Sequence, residues 1–177
     1  KHLIVLKAGG IYGSEHAVGK TINITGIPIL IEGDLNLDIQ AVGASEGTGS
    51  ASCGGNTIKR TSGTGGIFKI IGDKTHGPKI RFQGLVFEGA TTAGNRYDSD
   101  RSNDSAIQIR GEYTRVEVIG CTFRNNRAIG GGAIYGRGGR LYARNTLFQS
   151  NRSLYGGAVD VSDMDATFKA CSFKDNT

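Results

Sequence analysis

The stretch Gly94-Asn95-Arg96-Tyr97-Asp98-Ser99-Asp100-Arg101-Ser102-Asn103-Asp104 gathers side chains able to bind a cation. Asp98, Asp100 and Asp104, helped by Asn95 or Asn103, offer the hard oxygen ligands that calcium takes. The pattern is not an EF-hand loop, because that loop's glycine and terminal glutamate are missing. An ordinary solvated loop has the same composition, so the two readings stand side by side. No other cofactor is expected.

A second set of residues could act through charge alone. Arg115 and Arg140, Arg127 and Arg152, and Arg144 and Lys169 all stand at one shared offset along the chain. If that offset is one structural repeat, the pairs form columns of cations on a flat face, suited to an anionic polymer. The opposing reading is a surface of mixed charge, since Asp163, Asp165 and Asp175 lie nearby to compensate. The net charge of +5 fits solubility, or attraction to uronate polysaccharide, lipopolysaccharide or nucleic acid. Nucleic acid is the poorest match, because the chain has no Lys/Arg run and no aromatic-basic motif of a nucleic-acid module. Expected partners are a cell-surface glycan or another copy of the chain, end to end.

Other reactive groups are scattered. His2, His16 and His76 have no carboxylate or serine partner at motif spacing. The three cysteines, Cys53, Cys121 and Cys171, cannot all pair internally, and none shares a zinc-type spacing with histidine. Cys121 and Cys171 occupy equivalent places two repeats apart. Two strand spacings come to about 9.6 Å, beyond the roughly 7 Å reach of a disulfide, so both are expected as small core residues. Asn23, Asn103 and Asn151 begin glycosylation sequons, and Tyr12, Tyr97, Tyr135 and Tyr155 offer stacking faces for sugars.

The elements that hold these residues follow from an internal repeat with a period of about 25 residues. Cys121-Thr122-Phe123, Thr146-Leu147-Phe148 and Cys171-Ser172-Phe173 recur at that constant offset, as do Asn126, Asn151 and Asn176. Gly131-Gly132-Ala133-Ile134 recurs at the same offset as Gly156-Gly157-Ala158-Val159. Apolar residues alternate inside each repeat: Val116, Val118, Cys121, Phe123; Leu141, Ala143, Thr146, Phe148; Ala166, Phe168, Cys171, Phe173. Period-two runs are strands, and strands recurring in phase stack parallel on their previous copies. Crossovers between parallel strands are overwhelmingly right-handed. The expectation is an all-β, right-handed, single-stranded parallel β-helix of about 25 residues per coil and roughly six to seven coils. Phe87, Phe123, Phe148 and Phe173 should stack inward, and Asn126, Asn151 and Asn176 should form a ladder at a corner. The 29 glycines with only 2 prolines agree with many tight turns.

Farther back the repeat loosens. Gly65-Gly66-Ile67-Phe68 and Gly84-Leu85-Val86-Phe87 are degenerate copies. The step from Phe87 to Phe123 exceeds the period by about 11 residues. The excess falls at Thr91 to Asn103, before the strand at Ala106-Ile107-Gln108-Ile109, and an insertion into a regular solenoid often marks function. Leu3 to Leu6, Thr21 to Ile24 and Ile27 to Ile31 read as early strands, and Ala44 to Gly55 as a loop. Residues 1–177 read as one domain: 1–105 degenerate coils with an N-terminal cap and loops, 106–177 regular repeats open or continuing at the C-terminal side.

The motifs Phe123-Arg124-Asn125-Asn126, Phe148-Gln149-Ser150-Asn151 and Phe173-Lys174-Asp175-Asn176, with the two Gly-Gly-Ala-(Ile/Val) runs, resemble the polymorphic outer-membrane protein repeat. The likeness covers Ala106 to Thr177; residues 1–105 resemble only the broader pectate-lyase-like β-helix superfamily. The resemblance implies a secreted or cell-surface, adhesin-like passenger without catalysis. The superfamily also holds polysaccharide lyases and epimerases, in which calcium acidifies a uronate and a basic residue takes its proton. That alternative would use Asp98, Asp100, Arg101 and Asp104 of the 91–104 loop; a third reading is a glycan-binding module without turnover.

No apolar run reaches the roughly 20 residues of a membrane span. The chain begins at Lys1 without a signal-peptide pattern, which fits a processed protein or a fragment. It ends at Thr177 without a polar cap, so further coils or another subunit are expected there, and head-to-tail stacking would give a filament.

Overall fold

The computed structural model of the chain describes residues 2–6, 21–24, 29–33, 35–41, 57–92 and 104–177. All regular structure among them is β. In chain order the strands are β1 His2–Leu6, β2 Thr21–Ile24, β3 Ile29–Glu32, β4 Asn36–Ala41, β5 Thr57–Arg60, β6 Phe68–Ile71, β7 Lys79–Gln83, β8 Val86–Glu88, β9 Ile107–Arg110, β10 Arg115–Ile119, β11 Thr122–Arg124, β12 Ile134–Arg137, β13 Arg140–Arg144, β14 Leu147–Gln149, β15 Val159–Ser162, β16 Asp165–Lys169 and β17 Ser172–Lys174.

Each strand pairs with the one three places later, and every pairing of named strands is parallel. The result is three sheets: β1-β4-β7-β10-β13-β16, β2-β5-β8-β11-β14-β17, and β3-β6-β9-β12-β15. This is a parallel β-strand solenoid. The regular part pairs at the offset of the sequence repeat, with Arg115 opposite Arg140, Phe123 opposite Phe148 and Ile134 opposite Val159. Ile27 and the 42–56 stretch lie outside the described residues, and β4 is a strand not singled out by motif.

Alternation within each strand decides what is buried. In β10, Val116 and Val118 face in while Arg115 and Glu117 face out. Inward residues of all three sheets merge into one apolar cluster running from Ile31 to Ala158. Phe87, Phe123 and Phe148 are fully buried, and their rings stack face to face with Phe173, at centroid distances of 4.6, 5.2 and 4.7 Å. Burying one such ring contributes about 1.5–3 kcal/mol, and the aromatic pairing adds to it.

The alternating run from Val116 to Phe123 is not one strand. It divides between the first and second sheets at Gly120, whose φ is +59°. Asn145 and Ala170 hold the equivalent place in later coils with φ of +50° and +51°. One left-handed residue bends the chain from sheet to sheet, and the alternation resumes beyond the bend. The Gly-Gly pair serves closeness as well as turning. Gly131 is also left-handed, and a Cβ there would collide with the Ile134 carbonyl oxygen. A Cβ on Gly132 would lie 2.7 Å from the Gly157 carbonyl oxygen of the next coil.

Candidate functional site

The second bend of each coil is held by the asparagine column. Asn151 is completely buried. Its Nδ2 donates to the Phe123 carbonyl at 3.0 Å and to Asn176 Oδ1 at 2.9 Å. Its Oδ1 accepts from Asn126 Nδ2 at 3.0 Å and from the Asn126 backbone N–H at 3.2 Å. Asn126 in turn donates to the Phe87 carbonyl and accepts from the Ala90 N–H. Every polar atom of the Asn151 amide is thus employed within the protein. The sequon at Asn151 is inaccessible for the same reason.

Of the carboxylates proposed for calcium, Asp98 and Asp100 lie outside the described residues, together with Arg101, Asn95 and Asn103. Asp104 is described and half-buried just before β9. Burial raises its pKa above the usual carboxylate value; a hydrogen bond with Thr92 and the charges of Arg60 and Lys69 oppose that shift without cancelling it. Arg60 itself is buried, its Nε and Nη2 donating to the Gly66 carbonyl at 3.1 and 2.7 Å. Among the described residues no group of three His, Cys, Asp or Glu side chains could hold a metal ion.

The sign of the Asp104 effect is testable. A carboxyl whose folded pKa is raised costs nothing while protonated in both states. Stability then falls as pH rises through the window between the unfolded and folded values, and the loss stays in full above it. Asp104→Asn is therefore expected to raise the melting temperature at about pH 7 and to leave it nearly unchanged at about pH 3. A variant less stable at neutral pH would show the carboxylate to be a net stabiliser.

The outward face of the first sheet carries the charged columns. Register places Asn36, Lys79, Arg115, Arg140 and Asp165 in one row across the strands. Asp38, Arg81, Glu117, Tyr142 and Thr167 form the row beside it. In that second row Arg81 bonds Glu117 at 2.7 Å and lies 3.8 Å from Asp38, so charge alternates. The second sheet does the same, with Glu88 between Lys59 at 2.9 Å and Arg124 at 2.7 Å. Burial works against the Glu88 charge, but the bonds and charges of its two cationic neighbours outweigh it and hold the carboxyl below its usual range.

The first row differs. Lys79, Arg115 and Arg140 follow one another, and all three are exposed. Arg140 meets Asp165 at 3.3 Å, a pair open to solvent on both sides. Lys79 and Arg115 have no ion-pair partner among the described residues. Two shallow depressions, of about 260 and 750 Å³, adjoin this row and meet at Arg115 and Glu117.

Motif reading missed Lys79 because the insertion displaces it. The signal existed: the longer offset that joins Phe87 to Phe123 also joins Lys79 to Arg115. Arg127 and Arg152 are bridged in parallel and exposed, and Arg144 pairs with Lys169. Cys121 is buried, its thiol 3.5 Å from the Phe82 and Ile119 carbonyls, and Cys171 is half-buried, while Cys53 lies outside the described residues. His76 sits in an exposed turn beside Thr75; the His2 side chain and His16 lie outside the described residues. Tyr155 is exposed and Tyr135 half-buried, whereas Tyr12 and Tyr97 are outside the described residues. No helix among the described residues is long and apolar enough to cross a membrane. No protein-family model, curated protein or solved structure matches the chain.

Proposed function

We propose that the chain is a non-catalytic, adhesin-like structural solenoid of the cell surface or extracellular space, a passenger segment or filament subunit. In this reading it is a single right-handed β-helix domain of about 25 residues per coil and six to seven coils, the hand following from the general rule for parallel crossovers. The observation that carries the reading is the unbroken Phe and Asn columns from Phe87 to Asn176. They commit the interior of successive coils to stacking and leave long flat faces for contact. The GGA(I/V) and FxxN motifs support surface display through their likeness to outer-membrane passenger repeats.

The competing lyase or epimerase reading places chemistry at the 91–104 loop, with calcium on Asp98, Asp100 and Asp104. One experiment separates the two. The purified protein is incubated with a panel of uronate polymers, and its melting temperature is measured with and without calcium. The scaffold reading expects no unsaturated or epimerised product and no calcium-dependent shift. Turnover of any polymer that is lost in Asp100→Asn would replace the scaffold reading with the enzymatic one.

A further inference from the structure

The third sheet carries a column of inward side chains with one gap in it. Ile31, Ile70 and Ile109 follow one another on β3, β6 and β9, and register continues the column through Gly136 on β12 to Val161 on β15. The three isoleucines are buried, and Gly136 is buried with no side chain to fill its layer. Protein interiors are packed as densely as organic crystals, so the missing side chain must be replaced from elsewhere. The replacement comes from the turn between β15 and β16. A Cβ built on Gly136 would lie 2.7 Å from both Sδ and Cε of Met164, and 3.2 Å from Val161 Cγ1. Met164, the chain's one methionine, therefore fills the gap with its flexible thioether, a side chain suited to irregular space. Two further observations single out this sulfur. Met164 packs against the apolar cluster yet is only half-buried, and it lines the depression of about 750 Å³ beside Arg115 and Arg140, which gives a small neutral oxidant a route to it. The turn that carries it is tied to the preceding coil on both sides. Gly138 N–H donates to the Ser162 carbonyl at 3.0 Å, and Asp165 N–H donates to the Gly139 carbonyl at 3.1 Å.

We propose that Met164 is a site of reversible oxidation by hydrogen peroxide, and that its oxidation state sets how firmly the coil β15–β17 is held. The sulfur gives an electron pair to one peroxide oxygen. The O–O bond breaks, a sulfur–oxygen bond forms, and the other oxygen leaves as water with both hydrogens. Sulfur is oxidised by two electrons and the peroxide is reduced by two. A thiol-dependent methionine sulfoxide reductase reverses the step, two thiols becoming a disulfide as the oxygen departs in water. The sulfoxide oxygen is a polar group attached where Gly136 and the Val161 methyl meet the sulfur. Left inside, it sits against apolar carbon; swung out, it reopens the gap over Gly136. Either way the contact that closes the column is lost. This inference stands apart from the scaffold reading, since it concerns the packing of one coil and no ligand or activity.

The test treats the purified protein with hydrogen peroxide under conditions that oxidise free methionine. Peptide mass locates the added oxygen, and amide hydrogen exchange follows the coil. Oxidation is expected to speed exchange at Gly138 and Asp165 about tenfold, as their bonds across the two coils open more often. The Leu147 amide, bonded to the Cys121 carbonyl between earlier coils, should exchange as before. The reductase should restore the original rates. M164L keeps an apolar filling without the sulfur, so peroxide should leave its exchange unchanged. M164Q puts a polar group in the same place and should reproduce the faster exchange without peroxide. No sulfoxide at Met164, a sulfoxide with unchanged exchange at Gly138 and Asp165, or wild-type exchange in M164Q would overturn the proposal. Equal peroxide sensitivity in M164L, which retains all three cysteines, would overturn it as well, by placing the effect on a thiol.

Discussion

Asn151→Leu is expected to lower the unfolding free energy by about 4 kcal/mol, at the upper end of single-substitution effects. Leucine keeps asparagine's branching and number of heavy atoms, so the larger part of the loss comes from polarity rather than shape. That part comes from the polar groups that lose the Asn151 amide: two N–H donors of Asn126 and the Phe123 carbonyl, with Asn176 Oδ1 keeping only the backbone N–H of residue 151 at 3.0 Å. A buried polar group without a partner costs about 1–3 kcal/mol, and relaxation keeps the total below the simple sum. Lys74→Ser, in an exposed turn, should stay within about 0.5 kcal/mol of wild type. Urea denaturation of both proteins checks the contrast. Equal midpoints would mean that the amides do not hold the corner together.

Phe123→Ala should cost about 3–5 kcal/mol, combining lost apolar burial with a cavity between two rings. Phe123 is stacked on both faces, against Phe87 and Phe148, and is wholly buried. Phe173→Ala removes the same atoms from a ring that is 50 % exposed and stacked on one face by Phe148. Its loss should be less than half as large. Chemical denaturation of the pair reads this difference directly; similar losses at the two positions would contradict a column whose burial differs from coil to coil.

These columns were the most legible part of the chain. Phe and Asn recur at one offset because each must meet its own kind on the neighbouring strand, a demand that leaves little freedom in residue type. The bends were harder to read. Asn145 and Ala170 take the left-handed place that Gly120 fills in an earlier coil. With no glycine to mark the corner, the alternation runs through it and two short strands look like one. The early coils hide for another reason. Leu3 pairs with Asp38, Ile22 with Ile58 and Ile39 with Phe82, so the offset changes from strand to strand. Backbone pairing survives such changes, whereas a motif at constant spacing does not.

Legibility of the candidate site divides in the same way. The Arg115–Arg140 step is visible as part of the regular repeat, and Lys79 enters the row only through register across the insertion. In the sequence Asp104 stands out only through its neighbours, Asp98, Asp100 and Asn103. Its partners Arg60, Lys69 and Thr92 precede β9 and reach it only through the stacking of coils. The charge-alternating rows also depend on register, since Arg81 and Glu117, or Lys59 and Glu88, are far apart along the chain.

The central claim is that strands stack parallel, in the register of the sequence repeat through the regular coils. Nuclear Overhauser spectroscopy on isotope-labelled protein tests it without relying on any variant. Parallel ladders give interstrand contacts between amide and Hα protons and lack the short Hα–Hα contacts of antiparallel pairs. The structure predicts cross-strand contacts linking Val116 with Leu141, Phe123 with Phe148 and Ile134 with Val159. Strong Hα–Hα cross-peaks between these segments, or contacts at another offset, would contradict it.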